Sequence, residues 1–386
     1  MRVAVVVRSL KIGGMERVAV NLAEAFADAG DESHLIYFKE KKRAFTPKES
    51  VHFHHFDLDK ILNLTGIGFF LKLIAKLLNG IFRNSYFIYE GLLLSPIFAY
   101  KIKQLEKHYG KFDLIIMRGH GTFEVVWAYK DNRVVEMVES IFIKHGSPLK
   151  DLYIRCVYSG KNLTGVSSGV KEKIEEVLQK TNVKPRSLHI IHNPLDIELI
   201  RNKAKEYTPE IKSKYIVSVG RITPNKNIPF LLHSYKYAKE HLGLALPLVL
   251  VGDGHDMQNV KNTIKELSLE EDVKLLGLLQ NPYPWIKHAS LLTSTSFAEG
   301  FGMVLVEAFT CKTKVIATKS QGGVKDIMQE ELQNYLVDFD EKLFAQKIVE
   351  ILDEKKEWDF EKFIQPFTPQ NITKRYKELY LSSKSS

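Results

Sequence analysis

Cysteine is almost missing from this chain: two residues among 386, Cys156 and Cys311, lie far apart and form no C-x-x-C pair. That scarcity argues against a disulfide framework and against a cysteine zinc site, and it fits a reducing compartment. An apolar N-terminal core of the roughly 7 to 15 residues found in signal peptides is missing too. The opening "MRVAVVVRSL" offers a five-residue run whose β-branched content reads as a first strand, so the chain is expected in the cytoplasm. No G-x-G-x-x-G fingerprint occurs, which weakens a nicotinamide-binding reading. Short repeats and low-complexity tracts are absent as well.

What is present is an ordinary globular composition, 45% hydrophobic and 26% charged, in a chain too long for one core. Two domains are the simplest division. The formal net charge of +9 is uneven: residues 1 to 195 carry 29 Lys+Arg against 20 Asp+Glu, and the rest is neutral with 26 of each. Residues 39 to 112 alone count 13 against 6, so an anionic partner is expected there.

The first 38 residues alternate strand ("RVAVVV", 2 to 7), a Gly13-Gly14 loop, a helix with apolar residues at helical spacing, and a strand ("HLIYF"). This βαβ unit is the seed of a parallel sheet. The plan restarts after residue 214 with "YIVSVG", "RITPNKN", "IPFLLHSYKYAKEHLG" and "LPLVLVGDG". Between them Asn193-Pro194 breaks regular structure. The expected division is 1–194, 195–365, and a final helix with its tail, 366–386.

Residues 62–100 break this rhythm. In "LNLTGIGFFLKLIAKLLNGIF", Lys72, Lys76, Asn79 and Arg83 fall in one narrow arc at about 100° per residue, opposite Phe69, Phe70, Leu73, Ile74, Leu77, Leu78 and Ile81. Two lysines in mid-segment disfavour a transmembrane span. A helix lying in a membrane interface, lysines toward anionic headgroups and aromatics toward acyl chains, is the expectation; an amphipathic helix packed on its own domain is the alternative.

Doubly wound sheets bind ligands where loops leave the C-terminal strand ends, so polar residues there are the candidates. Gly13-Gly14 leaves backbone N–H groups open to an anion, or is a plain turn. His120, in "RGHGT" after the strand "FDLIIM", can bond a sugar hydroxyl or move a proton, or can be structural. Glu139 ends the strand "RVVEMV" in a similar position. Arg221 and Lys226, five apart in "VGRITPNKN", suit a diphosphate, the first as a bidentate fork and the second as a point charge. In "SFAEGFGMVLVEAFT", Glu299 falls on a loop and Glu307 on the sheet-facing side of the next helix, where a ribose diol would satisfy it. The amides of Phe301, Gly302, Met303 and Val304 would point at anionic oxygens.

Together, Glu299 and Glu307 (an E-x(7)-E pair), "GGMER", "VGRITPNKN", "VGDG" and "GGVKDI" closely resemble glycosyltransferase family four, retaining nucleotide-sugar enzymes of GT-B fold, nearly end to end. The resemblance implies an α/β chain of two Rossmann-like domains facing each other across a cleft, with a C-terminal helix crossing back to the first. It implies that Arg221 and Lys226 hold the donor diphosphate and that Glu299 takes donor-sugar hydroxyls. Glu307 would bind the ribose, Gly14 would offer its N–H to the phosphates, and His120 would lie near the reacting sugar. Transfer by front-face attack needs no protein nucleophile, metal or cofactor. "HNPLD", "VEA" and Asp326 depart slightly from the family pattern.

The expected activity is transfer of a hexose or N-acetylhexosamine from a UDP-sugar to a membrane-attached glycan, lipopolysaccharide core or lipid-linked polysaccharide. The protein would sit peripherally on the cytoplasmic membrane face, with Glu139, Lys72, Lys76 and Arg83 on the acceptor or membrane side and no nucleic-acid partner. The rivals are a GDP-sugar mannosyltransferase, a GT-B sugar-nucleotide epimerase and a non-catalytic binder of anionic surfaces.

Overall fold

The computed structural model describes residues 1–11, 13–39, 44–141, 143–211 and 213–384, the last three as backbone. The chain forms two compact units, Met1–Pro194 with Pro369–Ser386, and Leu195–Thr368.

Unit 1 is built on a seven-stranded sheet in the order β3-β2-β1-β4-β5-β6-β7, every pairing parallel. The strands are β1 (Arg2–Ser9), β2 (Glu32–Lys39), β3 (Val51–His55), β4 (Leu114–Arg118), β5 (Val134–Val138), β6 (Asn162–Gly165) and β7 (Ser187–Ile190). Val3 to Val7 are all buried, as a central parallel strand covered on both faces requires. Helix α1 (Gly14–Asp28) returns the chain from β1 to β2, burying Leu22, Ala23 and Phe26. The C-terminal helix Pro369–Lys384 belongs to this unit and packs on α1, Tyr376 meeting Phe26 with ring centroids 6.0 Å apart.

The segment 62–100 contributes three helices, α2 (Leu58–Leu64), α3 (Ile67–Ile81) and α4 (Tyr86–Tyr109). α2 and α3 meet at a 112° bend, made by Gly66 at φ 66° and by Thr65, whose Oγ1 accepts the Gly68 N–H at 2.9 Å. Among the described residues no single helix is long and apolar enough to cross a membrane, although the bent pair passes by length and composition.

The expected polar arc of this segment needs correcting. Arg83 lies beyond the end of α3, and Lys72 is turned onto the unit, its ammonium 2.5 Å from Asp59. Asn79 accepts the Tyr86 N–H at 3.0 Å. Lys76 and Arg83 stay exposed. With Gly68 and Ala75 buried inward, the outward face is apolar: Phe70 is 65% and Leu77 64% exposed, beside Phe69, Leu73 and Ile74.

Unit 2 repeats the architecture with six parallel strands in the order β10-β9-β8-β11-β13-β15. Its strands are β8 (Ile216–Val219), β9 (Leu248–Val251), β10 (Val273–Gly277), β11 (Leu291–Ser294), β13 (Val315–Thr318) and β15 (Leu336–Val337). A separate two-stranded parallel ribbon pairs β12 (Ala298–Glu299) with β14 (Gln321–Gly322). Counted within each unit, the order runs 3-2-1-4-5-6, the doubly wound pattern. Both units are thus Rossmann-like, as the sequence led us to expect.

Candidate functional site

In such sheets the strand order reverses beside the first strand, and the loops leaving the C-terminal ends there line a crevice. In unit 2 the reversal lies between β8 and β11. The crevice is lined by Ser218, Gly220, Arg221, Lys226, Ser296 and Val304. The loop after β9 approaches its base backbone to backbone. A Cβ on Gly252 would fall 1.8 Å from the Gly220 carbonyl oxygen, and one on Gly254 1.9 Å from that of Ile222, so "VGDG" needs both glycines.

Two loops are then joined by hydrogen bonds. The Phe297 N–H donates to the Asn225 carbonyl (2.8 Å), the Asn225 amide donates to the Ala298 carbonyl (2.7 Å), and the Thr295 hydroxyl donates to the Lys226 carbonyl (3.0 Å). This lattice places Lys226 Nζ 2.5 Å from Glu299 Oε1, which also accepts from the Ser296 hydroxyl at 2.6 Å. Both charged groups are mostly sheltered, with 24% and 15% of their side chains exposed. Arg221 is exposed, and its guanidinium has no hydrogen bond or ion pair to a described residue.

Strand β11 ends at Ser294, and the ribbon β12–β14 takes over, with the Gly323 N–H donating to the Glu299 carbonyl at 2.9 Å. Gly323 has no room for a side chain, since its Cβ would lie 2.5 Å from Phe301 Cα. The helix Met303–Thr310 starts from Gly302 at φ 99°, and no side chain caps it. The Leu305 N–H donates to the Gly302 carbonyl at 3.0 Å, so the donor capacity left toward an incoming anion is that of the Met303 and Val304 amides. Glu307 is placed differently from the expectation. Leu305, Val306, Ala308 and Phe309 are buried, whereas Glu307 shares a half-buried arc with Met303 and Val304. The Tyr283 hydroxyl lies 3.4 Å from its Oε1.

Unit 1 has its own reversal, between β1 and β4. The Gly13-Gly14 turn and the "RGHGT" loop meet there, because a Cβ on Gly119 (φ 74°) would lie 2.2 Å from Met15 Sδ. Gly14 starts α1 with open space around it. His120 opens the short helix His120–Phe123, and its Nε2 is 2.5 Å from the buried Tyr158 hydroxyl. Burial lowers the His120 pKa to about 4 and holds the Tyr158 phenol far above its usual range, so both are neutral near pH 7. Among the described residues that hydroxyl has no other hydrogen-bond partner, so donation to Nε2, with the His120 proton on Nδ1, is the arrangement that leaves no buried hydroxyl proton unpaired.

Glu139 does not stand alone. Its Oε1 accepts from the fully buried Arg118 Nη2 at 2.7 Å, and the same nitrogen reaches Asn193 Oδ1 at 2.6 Å. Burial raises the Glu139 pKa and Arg118 opposes that rise. Tyr158, Tyr283 and the Arg118–Asn193 pair escape a reading of the sequence, because each is fixed by packing between distant segments, whereas Ser296, three residues from Glu299, is within reach of local spacing.

Two Asp-x-Asp triplets occur in the chain, and both have structural work. Asp57 accepts the Lys60 N–H at the start of α2 and Asp59 pairs with Lys72. Asp338 pairs with Lys319, and Asp340 caps the helix Glu341–Asp353.

Two family models match consecutive stretches of the chain: "Glycosyltransferase Family 4" over residues 12–199 and "Glycosyl transferases group 1" over 200–362. A Campylobacter jejuni relative named N-acetylgalactosamine-N,N'-diacetylbacillosaminyl-diphospho-undecaprenol 4-alpha-N-acetylgalactosaminyltransferase is 27% identical across 92% of this chain and 91% of its own. Bacillus anthracis N-acetyl-alpha-D-glucosaminyl L-malate synthase is 23% identical across 96% and 94%. Among solved structures, Anabaena HepE in complex with UDP and glucose superposes with a TM-score of 0.69 at 18% identity, over 99% of this chain and 100% of that one. The apo lipopolysaccharide outer core galactosyltransferase WaaB gives 0.64 at 18%, over the whole of both chains. With two doubly wound units, the cationic loop facing Glu299 and family matches over nearly its whole length, the chain belongs to glycosyltransferase family four and is a GT-B glycosyltransferase.

Proposed function

We propose that the protein is a retaining enzyme that moves a hexose or N-acetylhexosamine from a UDP-sugar to a glycan carried on a membrane lipid. The observation that carries this reading is the Lys226–Glu299–Ser296 cluster beside the exposed Arg221 at the strand-order reversal of unit 2. Arg221 and the amides of Phe301 to Val304 take the diphosphate, and Lys226 exchanges Glu299 for phosphate oxygen as charge builds on the leaving group. Glu299, released from Lys226, accepts the sugar hydroxyls, and Glu307 accepts the ribose hydroxyls. The acceptor oxygen bonds to the anomeric carbon on the face from which UDP departs, and the departing phosphate oxygen takes the acceptor proton. This chemistry calls for no metal or cofactor.

His120 then acts as a neutral donor through Nδ1–H, a role that excludes proton shuttling by a cationic imidazole near neutral pH. Because protonation is held down to about pH 4, the transfer rate should show no imidazole step between pH 5.5 and 8. Tyr158→Phe frees the tautomer, so kcat should fall about 10-fold with the donor KM unchanged, read in a steady-state transfer assay. An unaltered kcat would exclude this role.

The acceptor side rests on the lipid named for the Campylobacter relative and on the apolar outward face of α3. That face seats in the headgroup boundary of the cytoplasmic leaflet, with Lys76 and Arg83 exposed near anionic lipid. The double change Phe70→Asp and Leu77→Asp should abolish sedimentation with liposomes containing anionic lipid while leaving donor binding intact. Undiminished sedimentation would remove the membrane from the account. To test the function itself, transfer from UDP-hexoses, UDP-N-acetylhexosamines and GDP-mannose to a lipid-diphosphate glycan is measured side by side. Turnover of a UDP-sugar is expected, and turnover of GDP-mannose alone would overturn the donor assignment.

A further inference from the structure

At the opposite edge of unit 1 from its candidate loops, three potential metal ligands converge that the transferase reading leaves unused. His34 is the third residue of β2 and pairs in register with His52 on the edge strand β3, so both lie at the N-terminal ends of their strands. The loops carrying Gly14 and His120 leave the C-terminal ends. One ligand atom from each of Glu32, His34 and His52 lies within 4.8 Å of the others. His34 Nε2 and Glu32 Oε1 are 3.3 Å apart. That separation is about the edge of a tetrahedron with metal–ligand bonds of roughly 2.0 to 2.1 Å.

Each inner ligand also has a group that fixes its orientation. Arg2 Nη2 holds Glu32 Oε2 at 2.6 Å, which leaves Oε1 facing His34. The other ring nitrogen of the fully buried His34, Nδ1, lies 2.9 Å from His54 Nε2. A metal-bound imidazole nearly always donates its second N–H to such an acceptor. The His34–His54 pair can supply this by tautomer exchange alone. The proton on His34 Nε2 is given up to solvent, the proton shared between the rings passes from His54 Nε2 to His34 Nδ1, and His54 takes one proton from solvent on its own Nδ1. Neither ring changes charge. His52 is exposed and opens the cluster to solvent, and its ring stacks on His34 with centroids 4.7 Å apart.

We propose that Glu32, His34 and His52 form a binding site for a zinc-class divalent cation, with water as the fourth ligand and Arg2 and His54 as orienting partners. Two nitrogens and one carboxylate oxygen suit zinc or cobalt better than calcium or magnesium, which prefer all-oxygen sets. Lying at the strand ends away from the candidate loops, the ion would clip β3 to β2 and take no part in sugar transfer.

The test uses the full chain, stripped with a chelator and titrated with Zn²⁺ by calorimetry and with Co²⁺ by absorbance. One equivalent is expected to bind, the cobalt form should show the intense visible bands of a four-coordinate site, and Zn²⁺ should raise the thermal midpoint. His52→Ala, at an exposed position, should weaken binding at least 10-fold without unfolding the apo protein. Glu32→Gln should do the same, and His255→Ala, in unit 2, should change nothing. Absence of stoichiometric binding, or equal affinity in wild type and His52→Ala, overturns the site.

Discussion

Lys226→Ala should lower kcat by about 100- to 1,000-fold, with a smaller effect on donor KM. Lys226 is sheltered and held 2.5 Å from Glu299 in the free enzyme, so its ammonium is positioned before the donor arrives. A charge that is already oriented loses little entropy when negative charge develops on the leaving diphosphate, and that is when its contribution is largest. The substitution has a second consequence, since Glu299 keeps only the Ser296 hydroxyl among the partners seen for that oxygen. A double-mutant cycle with Glu299→Gln separates the two effects. Strong non-additivity in kcat is expected, because one side chain positions the other. Single-turnover transfer by the four proteins is the measurement, and additive losses would place the two residues in independent roles.

Arg118→Leu should destabilise unit 1 by about 3 to 5 kcal/mol. Arg118 is fully buried, and one of its nitrogens holds both Glu139 and Asn193. Removing the guanidinium leaves Glu139 with a buried charge and no counter-ion, and burial already raises its pKa with Arg118 in place. The sign follows from that shift. With Arg118 gone, the folded-state pKa of Glu139 rises further above its unfolded value, so folding is favoured by protonation. The variant should be least stable at neutral pH and recover as pH falls toward 5. For a unit of this size the loss corresponds to a fall in thermal midpoint of roughly 10 °C. Adding Glu139→Gln should restore about half of it, because the orphaned charge is then gone. Calorimetric scans of the two variants at pH 5 and pH 7.5 check this, and a pH-independent loss would contradict it.

The fold was largely legible in the sequence. Buried parallel strands such as Val3–Val7 are unbroken apolar, valine-rich runs, and Gly, Pro and Asn punctuate their ends, so the strand-end loops and their polar residues could be placed. The hydrogen-bond partners were not legible. Lys226 and Glu299 are 73 residues apart, as are Asn225 and Ala298, and no local spacing encodes such pairings. The ribbon β12–β14 is two residues per strand, too short to show any periodicity. In α3 the angular arithmetic located the polar arc but not which way it faced. Asp59 and Tyr86 draw Lys72 and Asn79 inward and leave the apolar side outside. Arg83 shared that arc only on the assumption of a helix two residues longer than the one that forms.

The central claim is that unit 2 holds a nucleotide sugar with the sugar at Glu299 and the ribose at Glu307. Calorimetric titration of UDP and of the turned-over UDP-sugar into wild type, Glu299→Gln and Glu307→Gln tests it most directly. The account predicts that Glu307→Gln weakens both ligands about 10-fold, whereas Glu299→Gln leaves UDP affinity within about twofold and weakens only the UDP-sugar. Equal affinities for both ligands across all three proteins would contradict it.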